Sequence, residues 1–262
     1  MKKVLFAVLF AATSIAATAQ QPKNVVHDPN AEVRNVSGFS GISVSGGIRL
    51  YLSQGSADAV AVSTDDKKDI DKVKTEVKNG ILKIYVENGA WNGWNWKSKS
   101  IKAYVTAKTI DKIDASGACS VTVTDKISSG NLKFDLSGAS TFKGELSANS
   151  AKFDINGASS FKGALSVSST LKIEVSGASA VTISGSATSA DIDASGASSF
   201  KGYEFSTDEC KAEASGASSV SVAVKKELKA EASGASSIRY IGSPEVKRSE
   251  TSGASSIKKR DN

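Results

Sequence analysis

The sequence predicts an all-β fold: a parallel β-helix, or closely similar β-solenoid, of about eight ~20-residue turns with a non-repeating β-rich N-terminal cap. Three observations carry this. The tetrapeptide Ser-Gly-Ala-Ser, or a near copy, occurs eight times, with its glycine at Gly117, Gly138, Gly157, Gly177, Gly196, Gly216, Gly234 and Gly253. The successive intervals are 21, 19, 20, 19, 20, 18 and 19 residues, the mark of one supersecondary unit stacked on itself. Apolar and polar residues alternate on both sides of each copy, which is the period of a strand.

Taken from the N-terminus, residues 1–19 read as a secretory signal peptide. Lys2 and Lys3 form its positive start, Val4 to Ala17 its apolar run, and Ala17-Thr18-Ala19 a small-x-small cleavage site. That run is shorter than the ~20 residues a spanning helix needs, so the mature chain is expected to be exported with no membrane span. Residues 20–35 lack periodicity and are expected to form a flexible leader; they hold His27, the only histidine. Without a histidine in the folded part, Ser-His and Cys-His nucleophile schemes fall away.

Residues 36–110 are the expected β-rich cap. Ile42-Ser-Val44, Ile48-Arg-Leu50-Tyr-Leu52 and Val60-Ala-Val62 alternate, and Asp65 to Lys72 is a charged stretch that suits a helical turn. Val73 to Val77 and Ile81 to Val86 flank Asn79-Gly80, a strong hairpin signal. A solenoid leaves open β-edges at its ends, and a non-repeating region before it covers one of them. All three tryptophans fall in Trp91-Asn-Gly-Trp94-Asn-Trp96. Trp91, Trp94 and Trp96 suit a ligand-contact loop, since aromatic rings stack on sugars; they equally suit a hairpin loop folded onto the flank of the rod.

Residues 111–257 are the repeats, followed by a charged tail at 258–262. Four and two places before each glycine the residues are apolar or small, from Ile113 and Ala115 to Ser249 and Thr251. Four places after it stand Val121, Phe142, Phe161, Val181, Phe200, Val220, Ile238 and Ile257. Each repeat thus has two strand segments with a bend between them. Glycine in the bend permits φ > 0, and the alanine after it is expected at a crowded inward site.

Three places before the glycine all eight residues are acidic: Asp114, Asp135, Asp154, Glu174, Asp193, Glu213, Glu231 and Glu250. Five places before it, Lys112, Lys133, Lys152, Lys172, Lys211, Lys229 and Arg248 are basic, with Asp191 the exception. A file of carboxylates suits a calcium array, but the neighbouring bases favour a surface charge lattice that sets register. Serine columns before and after the glycine suit turn hydrogen bonding, or a flat grid binding ice or sugar. Cys119 and Cys210 lie five turns apart, roughly 24 Å, and are expected to be free thiols. The net charge of +6 is mild and interspersed with acids, which gives nucleic-acid binding no support.

The pattern Phe39-Ser-Gly-Ile42-Ser-Val44-Ser-Gly-Gly-Ile48-Arg-Leu50, then Asn79-Gly80-Ile81-Leu82-Lys-Ile84, then repeated Asp-x-Ser-Gly-Ala-Ser, resembles the auto-transporter adhesin head GIN domain family. That family is a domain of unknown function in exported Bacteroidetes proteins. The resemblance spans roughly Val36 to Ile257 and implies a β-helical, extracytoplasmic protein with no catalytic residues to carry over. The function expected is a non-enzymatic exported cell-envelope protein, adhesin-like or structural, binding glycan or a cell-surface component without cofactor or metal. The alternatives are a polysaccharide-degrading β-helix enzyme and, further off, an ice- or surface-binding rod.

Overall fold

The structure, a computed structural model, describes residues 28–87 and 100–260. The expected signal peptide, His27 and the Trp91–Trp96 cluster lie outside the described residues. The head comprises β1 (Glu32–Arg34), β2 (Gly41–Ser45), β3 (Ile48–Gln54), β4 (Ala59–Thr64), a 3-10 helix (Lys67–Lys72), β5 (Val73–Lys78), β6 (Ile81–Val86) and β7 (Ile101–Ala107). The repeats supply β8 (Lys112–Ser116), β9 (Ser120–Val123), β10 (Ile127–Leu136), β11 (Thr141–Ile155), β12 (Ser160–Val167), β13 (Thr170–Val175), β14 (Ala180–Ala194), β15 (Ser199–Ala214), β16 (Ser219–Ala232), β17 (Ser237–Ile241), β18 (Glu245–Thr251) and β19 (Ser256–Lys259).

These strands form a β-solenoid of about 7 turns, all-β and parallel along the repeats. Segments before the bend stack as one face, with Ile113, Phe134, Phe153, Ile173, Ile192, Ala212, Ala230 and Ser249 paired rung to rung. Segments after the bend stack as a second face, through Val121, Phe142, Phe161, Val181, Phe200, Val220, Ile238 and Ile257. The longest strands run around the far corner, so Ile127, Leu146 and Leu165 make a third short file.

The head joins the same columns in an order that differs from the chain. β2 lies between β6 and β8, and β3 lies between β7 and β9. The lap at residues 41–54 is therefore the neighbour of the first repeat, and the lap at 81–107 stacks outside it. Ser45-Gly46-Gly47 is a further bend in register with the repeats: Ser45 pairs with Ser116, and the Gly47 N–H donates to the Gly117 carbonyl at 3.0 Å. Antiparallel strands cover this end, β5 on β6, β4 on β7 and β1 on β4. The hairpin turn falls at Asn79 and Gly80, with φ of 52° and 73°.

Part of the leader is ordered, against expectation. Residues 32–34 pair as β1, and Asp28 accepts hydrogen bonds from the Tyr104 hydroxyl at 2.8 Å and the Lys102 ammonium at 3.3 Å. Polar contacts of this kind leave no apolar period in the sequence.

The interior is one continuous apolar cluster from Phe39 to Ile238. Its widest side chains meet at Phe134, Phe142, Phe153 and Phe161, with ring centroids 4.6–5.2 Å apart. Each such burial contributes on the order of 1.5–3 kcal/mol. In the laps of Gly216 and Gly234 the residues four and two places before the glycine shrink to alanine: Ala212, Ala214, Ala230 and Ala232. In the last lap they become Ser249 and Thr251, both exposed. Polar residues at the inward sites of the last lap, with the exposed charges of β18, blunt a β-edge that would otherwise template pairing.

Phenylalanine after the bend carries a second rule. Phe142, Phe161 and Phe200 are each followed two places later by glycine (Gly144, Gly163, Gly202), whereas Val121, Val181 and Val220 are followed by Val123, Ile183 and Val222. A Cβ on Gly202 would lie 2.7 Å from the Phe200 ring, and one on Gly163 3.1 Å from the Phe161 ring. In the Phe161 and Phe200 laps the aromatic ring fills the space that the next inward side chain takes in the valine laps, whereas at Gly144 that space is crowded by Val123 of the neighbouring lap. Gly202→Val is therefore expected to lower stability by roughly 1–3 kcal/mol in chemical denaturation. Adding Phe200→Val should restore a large part of that loss; no recovery in the double variant would contradict the pairing.

The bend explains the glycine file. All eight repeat glycines have φ between 69° and 77°. The glycines also stack backbone on backbone: a Cβ on Gly216 would lie 2.7 Å from the Gly196 carbonyl oxygen. Gly80 has φ +73° but nothing within 4 Å of a would-be Cβ. Gly80→Ala is expected to cost ~1 kcal/mol from the left-handed backbone alone, and Gly216→Ala about 2–4 kcal/mol because the rungs must also part. Equal losses for the two variants in urea titration would show that crowding has no part in the bend.

Candidate functional site

The bend corrects one expectation. The alanine after each glycine is exposed, not inward; the inward site is the next residue, occupied by Cys119, Ser140, Ser159, Ser179, Ser198, Ser218, Ser236 and Ser255. Glycine and alanine together round the corner outside the pleat, so alternation resumes one residue later. The alanine N–H then donates to the glycine carbonyl of the preceding lap, as from Ala217 to Gly196 at 2.7 Å.

Most of the buried serines bond to the lap below, while the Ser159 hydroxyl has no hydrogen-bond partner among the described residues. Ser218 and Ser236 donate to the carbonyls of Ala194 and Ala214 at 2.9 Å, and Ser198 to Val175 at 3.3 Å. A buried hydroxyl gains from such a partner, and the bonded members of this column serve the turn. Cys119 and Cys210 are free and buried. Burial pushes the Cys119 thiol up and holds the Cys210 thiol at about 12, so neither is a nucleophile in the folded chain.

The face before the bend is the charge lattice. The eight carboxylates stand in one file, each paired in register with the next. The bases answer both along and across rungs. Lys172 meets Glu174 at 3.1 Å and Lys211 meets Glu213 at 2.7 Å within a strand; Lys112 reaches Asp135 and Lys152 reaches Glu174 one lap on, both at 3.7 Å. Arg248 spans two laps, 3.2 Å from Glu231 and 2.8 Å from Glu250. Among the described residues no group of three or more His, Cys, Asp or Glu is placed to hold a metal ion.

The exception, Asp191, has an electrostatic consequence. Desolvation, then the carboxylates of Glu213, Glu174 and Asp191, raise the Asp193 carboxyl. Glu174 is lowered by its Lys172 hydrogen bond.

The face after the bend is different. Its first outward column is Ser120, Thr141, Ser160, Ala180, Ser199, Ser219, Ser237 and Ser256; its second is Thr122, Lys143, Lys162, Thr182, Lys201, Ser221, Arg239 and Lys258. Where this face turns the corner, Gly144 and Gly163 floor a shallow open groove of about 730 Å³ edged by Lys126, Lys143 and Lys162 and by Asp125, Glu145 and Glu204. This face is inconspicuous in the sequence, because its bases are interrupted by Thr182 and Ser221 and form no unbroken column. Trp91, Trp94 and Trp96, the residues expected to contact ligand, lie outside the described residues.

The two shifted carboxylates give opposite pH signatures. A raised native pKa stabilises only below the ordinary carboxylate range, and that contribution is lost as pH rises through the native value; a lowered one stabilises above that range and is lost as pH falls. Asp193→Asn is therefore expected to gain ~0–1 kcal/mol over the parent near pH 7, and Glu174→Gln to lose ~0–1 kcal/mol, with both differences closing toward pH 3. Denaturation of the two variants across that range checks the signs, and shifts of the same sign would contradict the lattice.

Comparison with known proteins places this architecture. A "putative adhesin" of Parabacteroides merdae superposes with a TM-score of 0.74 at 16% identity, covering 88% of this chain and 95% of that one. A "putative adhesin" of Bacteroides fragilis gives 0.65 at 18% identity, covering 88% and 96%. A "putative lipid binding protein" of Parabacteroides distasonis gives 0.70 at 20% identity, covering 89% and 98%. At these identities the likeness shows the fold. No curated protein matches the sequence. The sequence matches a family profile over residues 38–244, from the head through the seventh bend, and the chain belongs to the family described as "Putative auto-transporter adhesin, head GIN domain".

Proposed function

We propose that this chain is a non-enzymatic, adhesin-like protein exported to the cell envelope, where its rod binds glycan or other cell-surface material. The observation that carries this is repetition at the surface. The carboxylates of the acid file recur lap after lap with a base beside them, Asp191 marking the one lap that departs, so the face repeats one arrangement and is not built around a single general acid and nucleophile for glycoside cleavage. The same repetition is what multivalent contact with a polymer uses: many weak, identical contacts joined on one stiff support. Membership of an adhesin family and the resemblance to adhesin folds support the same reading. Among the described residues no helix is long and apolar enough to cross a membrane.

The Trp91, Trp94 and Trp96 cluster is the proposed ligand-contact loop, because indole rings stack on sugar faces. Immobilised glycans and whole cells of the producing organism are expected to retain the folded chain without releasing new reducing ends. Trp91→Ala with Trp94→Ala should weaken retention roughly 10-fold, the size of one lost stacking contact. Product release would turn the proposal toward a polysaccharide-degrading enzyme, and unchanged retention would remove the tryptophans from the contact.

A further inference from the structure

We infer that the face after the bend is a recognition surface for a linear acidic polysaccharide, lying along the rod over Lys143, Lys162, Lys201, Arg239 and Lys258. The inference rests on the adhesin reading and names the chemistry of its ligand.

The starting point is a contrast between two faces of one solenoid. Before the bend, bases are met by acids in the adjacent outward column. After the bend, neither outward column contains a carboxylate anywhere from Arg49 to Lys258. The five bases named are exposed, as is Arg49 at the head of the adjacent hydroxyl column, and none of them forms an ion pair among the described residues. Lys143 is paired in register with Lys162, and Arg239 with Lys258. Like charges directly opposite each other on neighbouring strands destabilise a sheet. Asp125, Glu145 and Glu204 stand toward the corner, three acids against five bases, and neither Glu145 nor Glu204 forms an ion pair with those bases.

The ligand class follows from shape and composition. The cations run in single file, one or two rungs apart, so neighbours are separated by ~5 or ~10 Å along a straight axis. A linear polymer with regularly spaced anionic groups matches that file. Beside it runs a file of hydroxyls, Ser120, Thr141, Ser160, Ser199, Ser219 and Ser237, each able to donate to and accept from sugar hydroxyls. Tyr51 heads the second column and is already stacked on Tyr104; from Thr122 to Lys258 the two columns contain no aromatic residue on which a nucleobase could stack. They contain no large apolar side chain to enter a bilayer.

The test compares two charge-matched variants of the full folded chain. Lys143→Gln/Lys162→Gln/Lys201→Gln removes three charges from the proposed surface. Lys78→Gln/Lys226→Gln/Lys247→Gln removes three from exposed surface ion pairs elsewhere, where little stability is at stake. The probes are polygalacturonate, dextran sulfate, neutral dextran, single-stranded DNA, and vesicles of equal parts phosphatidylglycerol and phosphatidylcholine. Binding is measured at low and physiological salt, with circular dichroism confirming the fold. The parent chain should bind an acidic polysaccharide in a salt-sensitive way and in preference to DNA or vesicles. The first variant should weaken that binding on the order of 10- to 100-fold, and the second by no more than a few-fold. Equal losses in the two variants, preference for DNA or vesicles, or no acidic polysaccharide bound at all would each overturn the inference. Retention of the first variant on neutral glycan or on cells would overturn this surface while leaving the adhesin reading standing.

Discussion

The whole rod depends on how closely one backbone can approach the next at the bend. Glycine stacks on glycine from Gly117 to Gly253, and from Gly157 onward the carbonyl oxygen of the preceding glycine crowds the place a Cβ would take. That contact sets the corner, and the corner sets which residues face inward. The following N–H is then aimed at the carbonyl of the lap below, and the buried serine two residues on from the glycine reaches a carbonyl of that same lap. Both are vertical contacts between identical positions. A chain that meets this condition once per lap must repeat at a near-constant interval, and the tolerance of two or three residues in that interval is absorbed at the opposite corner. The Gly202–Ser206 and Thr207–Glu209 register shifts lie there, away from the glycines.

Stacking in register turns every outward position into a file, and a file of identical charges is costly. The face before the bend resolves this with a second file of opposite sign two residues away, so that lysines reach both their own lap and the next. At Asp193 burial raises the carboxyl first, and the carboxylates of Glu213, Glu174 and Asp191 add to it. The face after the bend leaves the same problem unresolved within the chain. The two faces share one backbone geometry and differ only in what stands at the outward positions. The distinction is therefore one of surface chemistry rather than of folding.

Much of the fold was legible in the sequence because the period and the alternation are strong. From the columns alone, Asp114 to Glu250 could be placed in one file and Cys119 kept apart from Cys210. Three features were not legible. The alanine was expected inward because strict alternation was continued through a bend that takes two residues out of the pleat. The head was read as separate from the repeats because its laps join out of chain order. Ser45-Gly46-Gly47 shares the bend but lies 71 residues before Gly117, so no fixed interval reveals it. The pairing of Phe200 with Gly202 was visible as letters, yet only the ring position shows why glycine follows phenylalanine and not valine. Of the candidate site, the charge lattice was readable from its unbroken acid column. The cationic face was not, because threonine and serine interrupt it in sequence while the rungs align it in space.

The most direct measurement of single-file stacking is a ladder of spin-label distances along the hydroxyl column. In a Cys119→Ser, Cys210→Ala background, labels at Thr141 and in turn at Ser199, Ser219, Ser237 and Ser256 are three, four, five and six rungs apart. Stacking predicts separations of ~14, ~19, ~24 and ~29 Å, a straight line with a slope of one strand spacing per repeat. Distances that fail to grow by a constant step, or that level off along the series, would contradict a solenoid built on the glycine file.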